Sequence, residues 1–469
     1  MSTPVQTPFI RYDPMQVKTG TVSSLGLYLV LAHIFINYSR LPELMYIFIG
    51  TSFHIAMAFA VLGSFAVILT ASFRRIFSSP ITILMLVFTG WMMVCLPFAV
   101  WKGGTVLMLK KFWLLSLVTC FMISAMIVTL EDFRKTVYTI AAATLFIVFI
   151  GLISGSTTAQ AGDVGRYGLE EGTLKNSNTL AAVLLIGMPF CLIIVWNERR
   201  GFRRIAAALG SVLIVLTVIR TGSRAGLITV AVLTVILFFH VPISKKVLMI
   251  MGIVLAGFIG VSLASRSALD RYRTLFSDDD QYVSEAELSA SRSAAARKRL
   301  LVESLILTAR HPLFGVGPGD FITASYQEAM RTGLVPLWRE THNTFTQLSS
   351  ECGLPGFLLY TSALFLCFRA SAFLRRATRP YPELRNIYNM AFALKLSLIA
   401  FTITAFFASH AYFVFFPMLA GITASFLRAA KVELAVLQAQ AWKSAMPMPA
   451  ARARSRAPLT AAPGRVPSM

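Results

Sequence analysis

Long apolar stretches, separated by short polar or basic links, recur from residue 22 to residue 428 of this chain. Leu, Ile, Val, Phe, Ala and Met fill them at helical length, without the alternation of membrane strands. A helical bilayer crossing takes about 20 apolar residues, and on that measure the pattern predicts about twelve crossings. They fall at 22–38, 44–73, 80–100, 112–130, 135–153, 178–196, 204–219, 225–241, 247–265, 353–372, 390–408 and 412–428. The 44–73 run is too long for one upright helix and predicts either a tilted helix or two pieces. The predicted fold class is therefore all-α: a polytopic transmembrane helical protein with a helical cap loop on one face.

The same pattern divides the chain. Residues 1–21 form a polar lead-in without a short apolar region and cleavage site, so insertion is expected to begin with the first spans. Spans 1–9 occupy 22–265, and spans 10–12 occupy 353–428. Between them, 266–352 is the only sizeable non-membrane stretch, with helical pieces broken by the turn-rich "GVGPGDF". Residues 429–469 form a basic tail rich in Ala, Pro and Arg, expected to be largely disordered past Ala445.

Composition agrees. The chain is 56% hydrophobic and 14% charged, where a soluble domain carries about 25% charged residues. The net charge of +22 would suggest nucleic acid in a soluble protein. Here the gathering of Lys and Arg in cytoplasmic loops accounts for it, and no nucleic-acid partner is expected. A cytoplasmic N-terminus places Arg74, Arg75, Arg134, Lys135, "NERRGFRR", Lys245, Lys246, "LRRATRP" and the basic tail inside. Lys102, Lys110 and Lys111 fall outside, against the rule. This orientation makes both termini cytoplasmic and the cap external. Cys95, Cys120, Cys191, Cys352 and Cys367 lie in or beside apolar runs and read as small core residues, not disulfide partners or metal ligands.

The outer face then carries unexpected cations: Arg166, Arg220, Arg224 and the group Arg292, Arg297, Lys298 and Arg299. Charge retained at span ends points to an anionic partner, and the planar guanidinium suits phosphate oxygens. The plainer alternative is that these side chains reach lipid headgroups or pair with Asp278–Asp280 and Glu285. In "RTGSRAGL" the turn at Gly222 and Ser223 holds Arg220 and Arg224 at the membrane surface.

Of six histidines, His33, His54, His240 and His410 lie in or beside spans and read as packing residues, and His311 precedes Pro312 in a turn. No pair has zinc-ligand spacing, so no metal site is expected. His342 stands apart, in the cap region at the start of "HNTFTQLSSECGLPGF". On a helix over 342–352, Asn343, Gln347 and Glu351 share one face, with Thr341 as the cap. A helix start disfavours imidazolium, which suits a neutral imidazole as general base. The plainer alternative is a histidine that caps or packs.

Four segments, taken in order, resemble the O-antigen ligase and O-antigen polymerase superfamily of bacterial multi-span glycosyltransferases. They are "GRYGLEEGTLKNSNTLAAVL" (165–184), "RTGSRAGLI" (220–228), "RKRLLVESLILTARHPLFGVGPGDF" (297–321) and "HNTFTQLSSECGLPGFLLY" (342–360). The likeness covers roughly 150–430, within the usual few residues. One departure is Tyr167, which separates Arg166 from Gly168. The resemblance implies an enzyme of the bacterial inner membrane that needs no metal or cofactor. It would take a glycan from undecaprenyl diphosphate at the periplasmic face and pass it to a hydroxyl of another glycan, lipid A core or a protein. By carry-over, His342 would deprotonate the acceptor. Arg224 and Arg297 would bind the diphosphate, with Arg166 and Arg220 behind them. Asn343, Glu351 and Asn178 would support the site. Arg299 competes with Arg297, whose distance to Pro312 fits the family pattern better. Ligase, polymerase and protein glycosyltransferase stay undivided, with a lean to surface-polysaccharide polymerisation or export. The alternative classes are a flippase of lipid-linked sugars, which would place charges at mid-bilayer on broken helices, and an assembly protein whose basic patch docks a partner.

Overall fold

The computed structural model describes residues 21–51, 54–158, 166–169, 172–199, 201–274 and 285–445. Nearly all of the lead-in 1–21, the Asp278–Asp280 group and the tail beyond Ala445 lie outside the described residues. The helices are α1 (Thr21–Tyr38), α2 (Leu41–Ile49), α3 (Ile55–Leu69), α4 (Pro80–Cys95), α5 (Lys102–Met108), α6 (Leu114–Met126), α7 (Leu130–Ser154), α8 (Ser177–Asn197) and α9 (Phe202–Arg220). They continue as α10 (Arg224–His240), α11 (Ile243–Leu263), α12 (Arg266–Arg273), α13 (Glu285–Arg310), α14 (Phe321–Thr332), α15 (Thr344–Thr378), α16 (Arg385–Ala405) and α17 (Phe415–Ala445). A short antiparallel hairpin pairs β1 (Ser156–Thr158) with β2 (Arg166–Gly168).

The all-α, polytopic architecture is present. Among the described residues, nine helices are long and apolar enough to cross a membrane, or ten with one bent pair. The difference from twelve has local causes. The 44–73 run breaks into α2 and α3, and α3 meets a 3-10 turn at Ser72–Ser78 at 92°. α10 has only 17 residues. In α17 the apolar first half runs on into Arg428, Lys431 and Glu433. α5 and α6 join through a π-helical turn, Leu109–Trp113, into one span from Lys102 to Met126.

Caps fix where the helices start. Thr129 and Asp132 form a reciprocal box at α7, Asn176 caps α8 and Ser223 caps α10. Helices apolar all round belong in a core. α8 is one, buried on almost every side and packed against α7, α9 and α16. α11 buries Gly260 alone and turns its Leu, Val and Phe side chains outward, as a lipid-facing helix does. Successive spans alternate in direction, giving two faces. On one face, Arg75 and Arg428 donate to the carbonyls of Ala125 and Ile127 at the C-terminal end of α6.

The other face carries a cap made of α12, α13, α14 and the loop 311–320. Leu300, Leu307, Val316, Phe321 and Ala324 give it a small core of its own. It docks on α15, which is helical from Thr344 but broken at Gly353 (φ 68°, ψ 179°), at the boundary where the tenth span was expected to begin. The break frees carbonyls that the cap loop takes up. Val316 N–H donates to Ser350 O at 2.8 Å and Gly317 N–H to Glu351 O at 3.0 Å, while Leu354 N–H donates to Pro312 O at 2.8 Å. Gly353 is required here, because a Cβ would lie 2.0 Å from Leu313 O. Gly353→Ala should therefore lower the melting temperature of the detergent-solubilised protein, with roughly 1–2 kcal/mol lost to the left-handed backbone alone. An unchanged melting curve would show that the cap does not depend on this break.

Candidate active site

His342 sits between cap and membrane helices in a left-handed conformation, φ 53°. Residues other than glycine adopt it uncommonly and hold it only where their surroundings enforce it. Here the enforcing element is the α16–α17 link. His342 N–H donates to Ser409 Oγ at 3.0 Å, and the Thr341 and Ser409 hydroxyls lie 3.1 Å apart. One residue on, Asn343 is the cap of α15, accepting from the N–H groups of Phe345 and Thr346. This corrects the expected helix over 342–352 with Thr341 as its cap. Thr341 instead exchanges hydrogen bonds with the backbone of Asn343, so the histidine and asparagine precede the helix. Gln347 and Glu351 do share a face, which meets the same link: Ala411 N–H donates to Gln347 Oε1 at 3.4 Å, and Tyr412 Oη–H to Glu351 Oε2 at 2.6 Å.

Glu351 is buried, with 2% of its surface exposed. Beyond Tyr412, it accepts from Gly319 N–H at 2.9 Å and Phe321 N–H at 3.3 Å. Cap loop, α15 and the α16–α17 link thus meet at one carboxylate. Asp320 plays a similar part on the far side of the cap loop, accepting from Trp101 N–H at 2.9 Å and from the Thr105 hydroxyl at 3.2 Å. Burial pushes its carboxyl above the ordinary range, partly offset by those bonds.

The candidate arginines of the first half gather at the α9–α10 link. α9 ends at Arg220 and α10 begins at Arg224, with Gly222 at φ 60° between them. Arg166 is buried on β2, where Nε donates to Thr221 O at 3.3 Å and Nη2 to Asn178 Oδ1 at 2.9 Å. Asn178 also accepts from Ser223 Oγ at 2.8 Å. The Arg220 guanidinium lies 4.3 Å from the centre of the Tyr167 ring. Tyr167, the departure from the family pattern, is therefore the platform for Arg220. Arg224 is half-buried and reaches into the cap, donating to Thr274 Oγ1 at 3.2 Å and Ala290 O at 3.1 Å. Arg166 and Arg224 are near enough to repel one another, an arrangement suited to an anion.

Arg297 belongs to α13, and the periodicity of that helix shows how it relates to the rest. Ala290, Arg297 and Ser304 recur every seven residues and share a face, and Ala290 and Ser304 are buried. At one end of this stripe Ala290 touches Arg224; at the other Thr308 Oγ1 meets Ser349 Oγ at 2.9 Å. α13 packs against α15, with Thr308 meeting Ser349, so His342 and Arg297 both belong to the capped face. Arg299, its competitor, is committed to Glu303 Oε1 at 2.7 Å and Val335 O at 2.7 Å.

His410, read from sequence as a packing residue, lies beside His342. It is 2% exposed, neither ring nitrogen has a hydrogen-bond partner among the described residues, and Phe413 and Phe415 present their rings edge-on to it. Burial pushes its imidazole down to about 4, and the adjacent His342 pushes the same way. Ser409 and Tyr412 were likewise missed. The signal available was the polar "SHAY" inside the apolar "FFASHAYFVFF". Among the described residues no group of three or more His, Cys, Asp or Glu is placed to hold a metal ion.

Residues 209–361, about a third of the chain, match the family model described as O-antigen ligase. The match contains Arg220, Arg224, Arg297, His342, Asn343 and Glu351; Arg166, Asn178 and the α16–α17 link lie outside it. No curated protein matches the chain. The geometry around Glu351 makes a prediction independent of any activity. Glu351→Leu should lower the melting temperature more than Glu351→Gln, each buried N–H or O–H left unmet costing about 1–3 kcal/mol. Identical melting of the two variants would show that these bonds do not hold the cap.

Proposed function

We propose that this chain, a multi-span membrane member of the O-antigen ligase/polymerase superfamily, moves a glycan from an undecaprenyl-diphosphate donor to an acceptor hydroxyl. The observation that carries this reading is the braced His342 on the face that also bears Arg220, Arg224 and Arg297. In the step proposed, His342 takes the proton of the acceptor hydroxyl. The oxygen attacks the anomeric carbon of the donor sugar, the bond from that carbon to the diphosphate oxygen breaks, and the diphosphate leaves with the electron pair. Fixed positive charge is what such a leaving group needs. Arg224 and Arg297 supply it, and Arg220 stands behind them on its tyrosine platform. Arg166 is spent on Thr221 and Asn178, so it and Asn178 hold the α9–α10 link in place. Asn343 caps the helix next to the base, and Glu351 fixes cap and link against each other. The capped face is the periplasmic one in this reading, both termini are cytoplasmic, and the membrane is the bacterial inner membrane. A flippase would call for charges on broken helices at mid-bilayer; Arg220, Arg224 and His342 lie at or beside helix ends, and Arg297 lies in the cap.

His342→Ala should cut transfer by about 10²–10⁴-fold, the usual contribution of a general base, with an unchanged melting curve. Transfer by the purified variant at the parent rate would remove the base assignment. Arg224→Ala should weaken binding of lipid diphosphate about ten-fold or more while sparing the acceptor, and equal losses for both substrates would contradict the diphosphate role. A deletion strain separates the subclasses. Surface glycan reduced to one repeat identifies a polymerase, and accumulated long lipid-linked chains identify a ligase.

A further inference from the structure

Lys111 breaks the charge rule that the basic links obey, and the arginine site leaves it unexplained. It lies in the π-helical turn Leu109–Trp113, within the span Lys102–Met126. Single π turns are rare and recur at functional sites, where the extra residue re-aims the side chains around it. An ionisable group inside an apolar span ordinarily faces a cavity and marks a ligand path. Lys111 does face one. A cavity of about 180 Å³ is lined by Asn37, Arg40, Glu43, Lys111, Ser116 and Tyr412, among others.

The charges around it are unequally committed. Glu43 is engaged three times: it accepts from Arg40, from Thr173 N–H and from the Thr173 hydroxyl. Arg40 is held by Glu43 and Thr173, in a left-handed conformation at φ 57°, and its buried Nε–H has no hydrogen-bond partner. Lys111 makes no hydrogen bond or ion pair among the described residues. Two cations against one carboxylate leave the cavity positive, with donors to spare. A cavity of about 180 Å³ has room for one sugar ring or one phosphate.

The place also fits. Ser409, which holds His342, and Tyr412, which lines the cavity, belong to one link and are three positions apart, at most about 11 Å of chain. The arginines gather elsewhere, at the α9–α10 link and on α13. We propose that this cavity is a second subsite that reads a negatively charged group, phosphate or carboxylate, on the acceptor glycan. Assigning the group to the acceptor rests on the transferase reading above; the anion site itself does not.

The test uses the full-length protein in detergent and small probes: glucose 6-phosphate, glucuronate and neutral glucose, with binding followed by calorimetry. The parent protein should bind one or both charged sugars at least about ten-fold more tightly than glucose, as a charge-assisted contact warrants. Preference for glucose 6-phosphate assigns phosphate, and preference for glucuronate assigns a uronate. Lys111→Gln should abolish the preference at unchanged melting temperature, and Lys111→Arg should restore it. No preference in the parent, or an undiminished one in Lys111→Gln, overturns the subsite. Because no transfer is involved, failure of the transferase reading leaves this result standing. With a charged acceptor, Lys111→Gln should raise KM about ten-fold at constant kcat. A fall in kcat at constant KM would remove the acceptor assignment.

Discussion

A carboxylate buried at the start of α15 sets the geometry of the whole capped face. Taking the Glu351 carboxyl out of water is costly unless hydrogen bonds replace the solvent. Its replacements come from two segments far away in sequence, Gly319–Phe321 and Tyr412. Neither segment can shift without leaving this buried polar group short of a partner. Cap loop and α16–α17 link are thus registered against a common point, and His342, nine residues before that point, is held by the link. The break at Gly353 belongs to the same device. It turns the helix aside so that the cap loop can use the carbonyls of Ser350 and Glu351.

What could be read from the sequence was what depends on local pattern. Hydrophobic runs gave the all-α membrane class, and the "TGS" turn between Arg220 and Arg224 gave the hairpin that holds both. What could not be read depends on contacts across the chain. Thr341 and Asn343 are both good caps, and only the bonds from Thr341 to Ser409 and to the Asn343 backbone decide that Asn343 serves. His410 reads as a packing residue because it sits in the short link between the last two spans; its neighbour in space is His342. The bend after α3 turns on Ala71 at φ 51°, a residue whose identity signals no turn. The π turn at Leu109–Trp113 leaves no mark in a hydrophobic pattern, since one extra residue in a turn hardly alters the apolar count.

The match to the O-antigen ligase family and the described geometry partition the chain in an informative way. Arg220, Arg224, Arg297 and His342 fall inside 209–361. The cavity walls come from 36–56, 111–116 and 412–414, all outside it. In the functional reading offered here, the segment shared with the family carries bond making and breaking, and the flanking spans carry the choice of what is joined.

α13 adds a mechanical consequence. At about 1.5 Å per residue its 26 residues form a rod about 39 Å long, held by Arg224 at Ala290 and by Ser349 at Thr308. A rod fastened at two points is a strut: it sets the separation between the α9–α10 link and α15, so the span of the capped face is fixed by the length of one helix.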